Sequence, residues 1–418
     1  MKRRWITITV AIVVGMSLTA VARAKHASPS SAPLTSTTSA IDAIHARPPT
    51  WGLAGRPGYW DIAFAPDGTL YAVDAPNGRV YKVTDKGRWG RTTVVGGSGP
   101  GVSLGPDGFQ HWKWIKRHGW ITVGAYGGDG QPATDALFSG PSALTFDPSG
   151  NMYIADHLNS RVREVTTDGF VQTVAGTGNG GRNYGTWTPG VGPAAGDGGP
   201  ATHSVLEEPF GLTVDSHGNL YIADRDHDAI RKVDANGIIT TVAGTGVRGF
   251  SGDGDLATQA QLSRPLWTAF DAAGNMYIAD DNNHRIRMVD HAGVITTVVG
   301  DGTNGCGGDG GLAVDASLKD PNEVAFAPNG SMLVLDNECH DIREIAPDGT
   351  ISTLAGRRGD SCKNVIHVDA RHMPVGAFAF GPDGELYVSA CARIIRVDDD
   401  GITHLFARAP LMSDLPRP

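Results

Sequence analysis

One short pattern returns six times along this chain of 418 residues. It consists of a Gly turn, an apolar stretch that usually ends in Asp, a polar loop and a second apolar stretch, as in GNLYIADRDHDAIRKVD at residues 218–234. Repetition of one unit limits the fold to architectures that stack or circle that unit. The Asp position of the pattern is filled by Asp74, Asp156, Asp224, Asp280, Asp336 and Ser389.

Each copy predicts four short strands. In the third copy the apolar stretches FGLTVD, LYIAD, AIRKVD and IITTVAG are separated by the turns SHGN and ANG and by one polar loop. Such turn residues supply the positive φ that tight hairpins need, so each copy predicts an antiparallel meander. One meander cannot bury both of its faces, but six arranged radially can. We therefore expect an all-β fold, a six-bladed β-propeller of four-stranded antiparallel blades.

Composition agrees with this expectation. The 57 glycines and 25 prolines are too many for a helical protein. A net charge of −9 and a pI near 5.8 argue against nucleic acid as a partner, because phosphate binding needs a basic face. We expect a monomer.

The first residues are typical of an export signal. Lys2, Arg3 and Arg4 precede an apolar run at residues 6–21 and the small-residue pattern that ends at Ala24. This order predicts a signal peptide at 1–24, with an uncleaved membrane anchor as the alternative. Residues 25–50 are rich in Ser, Thr, Pro and Ala and predict a linker, followed by the propeller at 51–407 and a tail at 408–418. The expected location is secreted, periplasmic or cell-surface, without a transmembrane segment after cleavage.

The repeats resemble the NHL repeat. The YIAD and N-x-R-I-R segments of copies two and four, with the GDGGPAT and GTG elements, are similar to the bacterial, teneurin-like branch of that family over residues 59 to about 407. The resemblance implies a six-bladed propeller that serves as a binding scaffold, a receptor ectodomain or, less often, a metal-dependent lyase or lactonase-like enzyme. Copy one departs from the pattern with Tyr81 where others carry Arg, and copy six departs with Ser389.

The recurring charged residues are expected to serve the fold. Besides the Asp position, an Arg recurs in the third strand and should pair with a neighbouring carboxylate. We place this Arg at Arg163, Arg231, Arg287, Arg343 and Arg396.

The resemblance implies that the first strand of each blade is innermost. It also places the second-to-third loop and the connection to the next blade on one face, here called the top, where we expect binding. Four glycine-rich connections should lie there, with one Asp each at Asp129, Asp197, Asp253 and Asp309. Their spacing matches neither an EF-hand nor an RTX repeat, so a structural role is favoured over calcium binding.

The first residues of the inner strands should line the mouth of the central channel. A metal-dependent enzyme would gather His, Asp, Asn or Glu side chains there, and only Asp61, Asn322 and Glu323 fit well. They are the candidate ligands for Ca²⁺ or Zn²⁺ in the alternative that a cation is held, whereas the favoured interpretation needs no cofactor. Trp267 lies at the same level and is a candidate ligand contact.

Two insertions carry aromatic candidates for ligand contact. The first holds Trp112, Trp114 and Trp120 among Lys and His residues, and the second holds Tyr184 and Trp187. Aromatic rings beside cations suit a glycan, a peptide or a protein ligand. In the alternative interpretation, WKWIK forms a hairpin whose Trp side packs on the propeller. His227, at a loop tip of copy three, is a further candidate contact.

The four cysteines all lie in the last third of the chain. Cys306 and Cys362 follow the ends of two fourth strands at equal spacing, and Cys339 and Cys391 lie in the next second-to-third loops. The repeat therefore predicts the disulfides Cys306–Cys339 and Cys362–Cys391 in an oxidising compartment.

These observations favour a secreted or envelope-associated propeller that binds an extracellular ligand through its top face. The alternative is a metal-dependent lyase or lactonase-like hydrolase with its site at the channel mouth, and a purely structural scaffold is the third hypothesis. No motif pairs a nucleophile with its base, so a non-enzymatic role is favoured.

Overall fold

The computed structural model describes residues 61–84, 91–98, 112–115, 119–122, 126–178, 196–356, 375–390, 393–398 and 401–408. The strands at 112–115 and 119–122 are described by their backbone alone. All of these residues belong to one compact unit, Pro48–Pro418.

The first three blades are four-stranded antiparallel sheets whose strands follow each other in chain order. Blade 1 contains β1 (Asp61–Phe64), β2 (Leu70–Asp74), β3 (Arg79–Thr84) and β4 (Arg91–Gly96). A separate two-stranded sheet, β5 (Trp112–Ile115) with β6 (Gly119–Thr122), lies in the first insertion. Blade 2 contains β7 (Leu144–Phe146), β8 (Met152–Asp156), β9 (Arg161–Val165) and β10 (Val171–Ala175). Blade 3 contains β11 (Pro209–Val214), β12 (Leu220–Asp224), β13 (Ala229–Val233) and β14 (Ile239–Ala243).

The last three blades repeat the same arrangement. Blade 4 contains β15 (Pro265–Phe270), β16 (Met276–Asp280), β17 (Arg285–Val289) and β18 (Ile295–Val299). Blade 5 contains β19 (Pro321–Phe326), β20 (Met332–Asp336), β21 (Asp341–Ile345) and β22 (Ile351–Gly356). Blade 6 contains β23 (Ala377–Phe380), β24 (Leu386–Ala390), β25 (Arg393–Val397) and β26 (Thr403–Arg408).

The six blades form a six-bladed β-propeller, which confirms the predicted fold. The inner strands β1, β7, β11, β15, β19 and β23 lie nearest the centre, and β1 contacts β23, so the first and last blades are neighbours. Short 3-10 turns supply the only helical structure in the described part of the chain. No helix among the described residues is long and apolar enough to cross a membrane.

The second-to-third loop meets the end of the fourth strand at the top of blades 1 to 5. In blade 3, Asp228 occupies the left-handed region at φ 51° and ends the 3-10 turn that follows β12. Gly244, at φ 93°, follows β14, and a Cβ at this position would lie 2.4 Å from the Asp228 carbonyl oxygen. Only glycine allows this close approach, which explains the glycine that recurs after the fourth strands.

Apolar side chains fill the spaces between neighbouring blades. Tyr221, Ala223 and Ile230 of blade 3, for example, share one buried cluster with Met276 and Ile278 of blade 4. Each blade is covered on both faces by its neighbours. Both faces of its inner strands therefore carry apolar side chains, without the regular alternation of apolar and polar residues that a half-exposed sheet shows.

A buried arginine joins two aspartates in four consecutive blades. Arg287, fully buried, contacts Asp280 at 3.4 Å and Asp253 at 2.6 Å. The corresponding groups are Arg163 with Asp156 and Asp129, Arg231 with Asp224 and Asp197, and Arg343 with Asp309 beside Asp336. The Arg and the recurring Asp of these blades therefore serve the fold, as expected.

Blade 6 differs from the prediction. Because Ala390 pairs with Arg393 and Val388 pairs with Ile395, the residue at the Asp position is Ala390 and the residue at the Arg position is Ile395. The predicted positions Ser389 and Arg396 were each wrong by one residue. The cause is the second-to-third loop, which is two residues shorter in blade 6 than in blade 3. An apolar pair replaces the ion pair, and both of its members belong to the buried core.

The glycine-rich connections also lie elsewhere than predicted. The amide of Gly130 donates to the carbonyl of Val171, and the amide of Val171 donates to Gln131. Val171 is the first residue of β10, at the bottom end of that strand. Each connection thus descends along the outer strands of the following blade, where its Asp meets the buried Arg, and does not form a loop on the top face.

One disulfide joins Cys306 to Cys339, as predicted. It links the connection before blade 5 to the second-to-third loop of the same blade. Cys362 and Cys391 lie outside the described residues, and their pairing stays a prediction.

Candidate functional site

A cavity of about 1170 Å³ occupies the centre of the propeller. Its walls are the six inner strands, and its lining extends downward to the first-to-second turns of blades 3 and 4, at residues 215–219 and 271–274. Asp61 and Glu323 line its upper part, whereas Phe64 and Phe326, three residues further along their strands, line its lower part. The cavity therefore approaches the bottom face, not the top face on which binding was expected.

Two buried carboxyl groups line the upper part of this cavity, Asp61 on blade 1 and Glu323 on blade 5. Both oxygens of Asp61 accept backbone amides at 2.7 Å, from Ile62 and from Leu144 of the next blade. Glu323 accepts one amide, from Phe378, at 3.4 Å. Burial raises the pKa of Asp61 to about 7. Burial, followed by the nearby charge of Asp61, raises the pKa of Glu323 well above its ordinary value.

Asn322, the third predicted metal ligand, lies outside the lining of the cavity. Its side chain is buried, whereas Trp267 lines the cavity. Within the described residues, no group of three His, Cys, Asp or Glu side chains could hold a metal ion. The structure thus places Asp61, Glu323 and Trp267 in the lining of one cavity, and their roles in binding stay predictions.

A collar of phenylalanines surrounds the lower part of the cavity. These half-buried rings are the last residues of their inner strands, and a neighbouring second-strand tyrosine often supports them: Phe64 packs on Tyr387, Phe270 on Tyr221 and Phe326 on Tyr277. Phe380 completes the set that lines the cavity. Aromatic surface that is only half covered in this way can accept an apolar ligand.

Charged side chains gather at the top end of the inner strands. Arg225 contacts Glu208 at 2.7 Å, and Arg264 contacts Asp226 at 3.3 Å. Further charged residues from blades 2, 4 and 5 lie beside these pairs. We call His157, Glu208, Arg225, Arg264, Asp281 and Asp320 the top cluster.

The top cluster is largely buried and imperfectly paired. The Nε atoms of Arg225 and Arg264 are buried without a hydrogen-bond partner in the described part of the chain. Burial, with the Arg225 charge, lowers the pKa of Arg264. Burial and then the charge of Asp320 raise the pKa of Asp281 well above its ordinary value. The Nε atoms of the structural arginines Arg163 and Arg343 also lack a hydrogen-bond partner among the described residues, so the missing bond does not distinguish the top cluster. Its shifted pKa values, in charged groups from several blades, are what make it a candidate site.

Two members of the top cluster also have strained backbones. Glu208 and Arg264 have φ of 55° and 53°, and each precedes a proline. The residue before proline strongly prefers an extended backbone, and side chains other than glycine rarely adopt positive φ. Strain of this kind concentrates at binding and catalytic sites. Sequence reasoning missed this feature, although charged residues before proline at equivalent places (Glu208, Arg264 and Asp320) were a visible signal.

His227 lies in the second-to-third loop of blade 3. Its side chain is buried, and Nδ1 lies 2.8 Å from a carboxylate oxygen of Asp224. Asn159 and Asn283 make the same contact with their own Asp in blades 2 and 4. His227 therefore takes the place of a structural asparagine, and its contact with a ligand stays a prediction.

The aromatic insertions are only partly described. The strand β5 carries Trp112 and Trp114, and Trp114 pairs with Trp120 of β6. The predicted hairpin is thus present. Tyr184 and Trp187 lie outside the described residues. The contribution of all five aromatic residues to binding stays a prediction.

Comparison with known proteins agrees with the fold and the repeats. The family described as the teneurin NHL domain matches residues 168–251 and 246–305. The chain is an NHL-repeat β-propeller. Teneurin-4 of Mus musculus is 30% identical over 287 residues, which cover 60% of this chain and 10% of that protein. Teneurin-m of Drosophila melanogaster is 29% identical over 297 residues, which cover 64% and 10%.

This NHL-repeat chain spans about a tenth of the length of those curated relatives. Among solved structures, a structural genomics protein of unknown function from Bacteroides thetaiotaomicron aligns with a TM-score of 0.50. It is 13% identical, over 81% of this chain and 68% of that one. At this identity the likeness concerns the fold alone.

Proposed function

We propose that this NHL-repeat propeller is an extracellular binding module that holds a glycan, peptide or protein ligand through its top face. The top cluster carries the proposal, because two residues with strained backbones and buried charged groups with shifted pKa lie on the face that also receives the second-to-third loops. Groups of both charges suit a ligand with donors and acceptors, such as a peptide or protein segment. The aromatic hairpin β5–β6 adds contacts in this proposal.

An exported location fits two observations. The first residues have the order of a signal peptide, and the Cys306–Cys339 disulfide is typical of oxidising compartments. Secretion, the periplasm or the cell surface is therefore part of the proposal.

Binding can be tested on the purified chain with glycan and peptide arrays, followed by titration of the best hits. The Arg225→Ala, Arg264→Ala double variant should bind at least tenfold more weakly, the loss expected when a central arginine anchor is removed. Arg396→Ala is the matched control, because that arginine pairs with Glu385 away from the top face. Equal losses in both variants would reject a role for the top cluster.

The aromatic hairpin needs a separate variant. Trp112→Ala with Trp114→Ala should weaken the same hits if β5 contacts the ligand. Unchanged affinity would confine the site to the top cluster.

The metal-dependent lyase or lactonase-like alternative rests on Asp61, Asn322 and Glu323, and only two of these line the cavity. Metal analysis of the purified chain would revive it if a stoichiometric cation were found and were lost in Asp61→Ala with Glu323→Ala.

A further inference from the structure

The central cavity is large enough to hold an organic ligand. Ligand pockets commonly measure about 300–1,000 Å³, and this one measures about 1170 Å³. A single cation would leave most of that volume unused. The cavity is also separate from the top cluster, none of whose six members lines it.

The upper part of the cavity has no cationic side chain among the described residues that line it. Among the described residues, no Lys, Arg or His forms an ion pair with Asp61 or Glu323, and the hydrogen bonds that these two carboxyl groups accept there come from the backbone amides given above. A buried carboxylate without a counter-charge is costly, which is the reason for the raised pKa of both groups. A ligand that carries its own cation would stabilise the ionised forms.

The lower part of the cavity holds the phenylalanine collar above a polar rim. From Glu323 to Phe326, or from Asp61 to Phe64, the strand advances by three residue steps, which is about 10 Å. The half-buried rings of the collar leave aromatic surface for an apolar body. The lower rim of the cavity carries Lys232 and His217 as well as Asp215. Side chains of both charges therefore line the entrance, and it does not select between cationic and anionic ligands.

We propose that the central cavity is a second binding site of this propeller, for an organic cation with a primary ammonium group on an apolar body. The ammonium group lies at Asp61 and Glu323 and the apolar body lies within the phenylalanine collar. The site is independent of the top face, so either proposal can fail without the other.

Three probes with one body and different head groups test the site: 4-phenylbutylammonium, 4-phenylbutanol and 4-phenylbutyrate. Calorimetric titration of the purified chain at neutral pH should detect binding of the ammonium probe, at least tenfold weaker binding of the alcohol and no binding of the carboxylate. Glu323→Gln should weaken the ammonium probe at least tenfold and leave the alcohol unchanged. Glu338→Gln, at a surface ion pair with Lys319, is the matched control and should change nothing.

The proposal is overturned if the three probes bind equally, if none binds, or if Glu323→Gln leaves the ammonium affinity unchanged. Circular dichroism checks that the variant is folded. If it is not, Asp61→Asn takes its place, and the comparison of head groups on the unmodified chain decides by itself. Stoichiometric Ca²⁺ at the carboxyl pair, with no binding of the ammonium probe, would replace the organic cation by a metal.

Discussion

At the scale of single residues, the fully buried arginine and its two carboxylates are the most demanding part of the sequence. Blades 2 to 5 keep this arginine, whereas blade 6 has Ala390 and Ile395 at the two buried positions. The same fold therefore accepts either an ion pair or an apolar pair at these two buried positions. A buried ion pair is replaceable as a unit, but removal of one partner leaves an uncompensated charge.

This contrast gives a double-mutant cycle in blade 4. Arg287→Ile should lower the free energy of unfolding by about 3–5 kcal/mol, because it leaves Asp280 buried without its cation. Asp280→Ala with Arg287→Ile copies blade 6 and should cost less than the sum of the two single changes, by about 1–3 kcal/mol. Urea unfolding measures all four proteins. Strictly additive losses would show that the pair does not act as a unit.

His227 gives a second prediction at this scale, on pH. Burial alone would lower the pKa of His227, but the Asp224 and Glu207 carboxylates outweigh burial and raise it. A raised pKa in the folded state contributes stability that is complete below the unfolded value of 6.5 and is lost as the pH rises through the folded value. His227→Asn should therefore lower the melting temperature most at pH 5 and least at pH 9. A difference that grows with pH would contradict this.

At the scale of elements, the connections between blades decide how the blades are fixed to each other. Each glycine-rich connection pairs with the fourth strand of the following blade, and the one before blade 5 is also tied by the Cys306–Cys339 disulfide. Blade 5 is thus held by a covalent link as well as by hydrogen bonds.

Removal of this disulfide should measurably loosen blade 5. The sequence separation is 33 residues, and a loop of that length corresponds to roughly 3 to 4 kcal/mol in the chain-entropy model. Cys306→Ala with Cys339→Ala should reduce the urea midpoint and speed amide exchange in β19–β22 more than in β11–β14. A uniform change over all blades would contradict a local role.

The elements themselves could largely be predicted from the sequence, because the strands are short apolar runs between Gly, Asn and Asp turns. Prediction failed where non-local contacts decide. The shortened loop of blade 6 moved the equivalent positions to Ala390 and Ile395, which no local pattern indicates. The descent of the connections depends on hydrogen bonds such as Gly130 to Val171, between residues far apart in the chain. The candidate sites were harder still, since Glu208 and Arg264 are brought together by the circle of blades.

At the scale of the whole molecule, the fold concentrates buried carboxyl groups around its centre and top. Burial, as the largest cause, raises the pKa of Asp156 and Asp280 to about 6 and of Asp341 to about 7. The same cause acts on Asp61, Asp74, Asp228, Asp281, Glu323 and Asp336. Surface aspartates such as Asp215 and Asp271 have a lowered pKa instead.

These two groups act in different ranges of pH. A carboxyl group with a raised pKa binds more protons in the folded state, so its stabilisation is complete below the unfolded value near 3.8 and is lost as the pH rises toward 6 or 7. The lowered group changes stability only below pH 3.8. Burial lowers the pKa of His157 and His284, so these two groups increase stability as the pH rises between 5 and 7. The nine carboxyl groups with raised pKa outnumber them, and the net stability should fall.

We therefore expect the free energy of unfolding to be higher at pH 5 than at pH 8, at constant ionic strength. Urea unfolding at intervals across this range measures it. The net charge of −9 at pH 7 acts in the same direction, because self-repulsion grows as the carboxyl groups ionise. Asp61→Asn with Glu323→Gln removes two of the groups and should flatten the fall, whereas Glu338→Gln on the surface should not. A stability that rises steadily from pH 5 to pH 8 would mean that the central carboxyl groups are ionised in the folded chain.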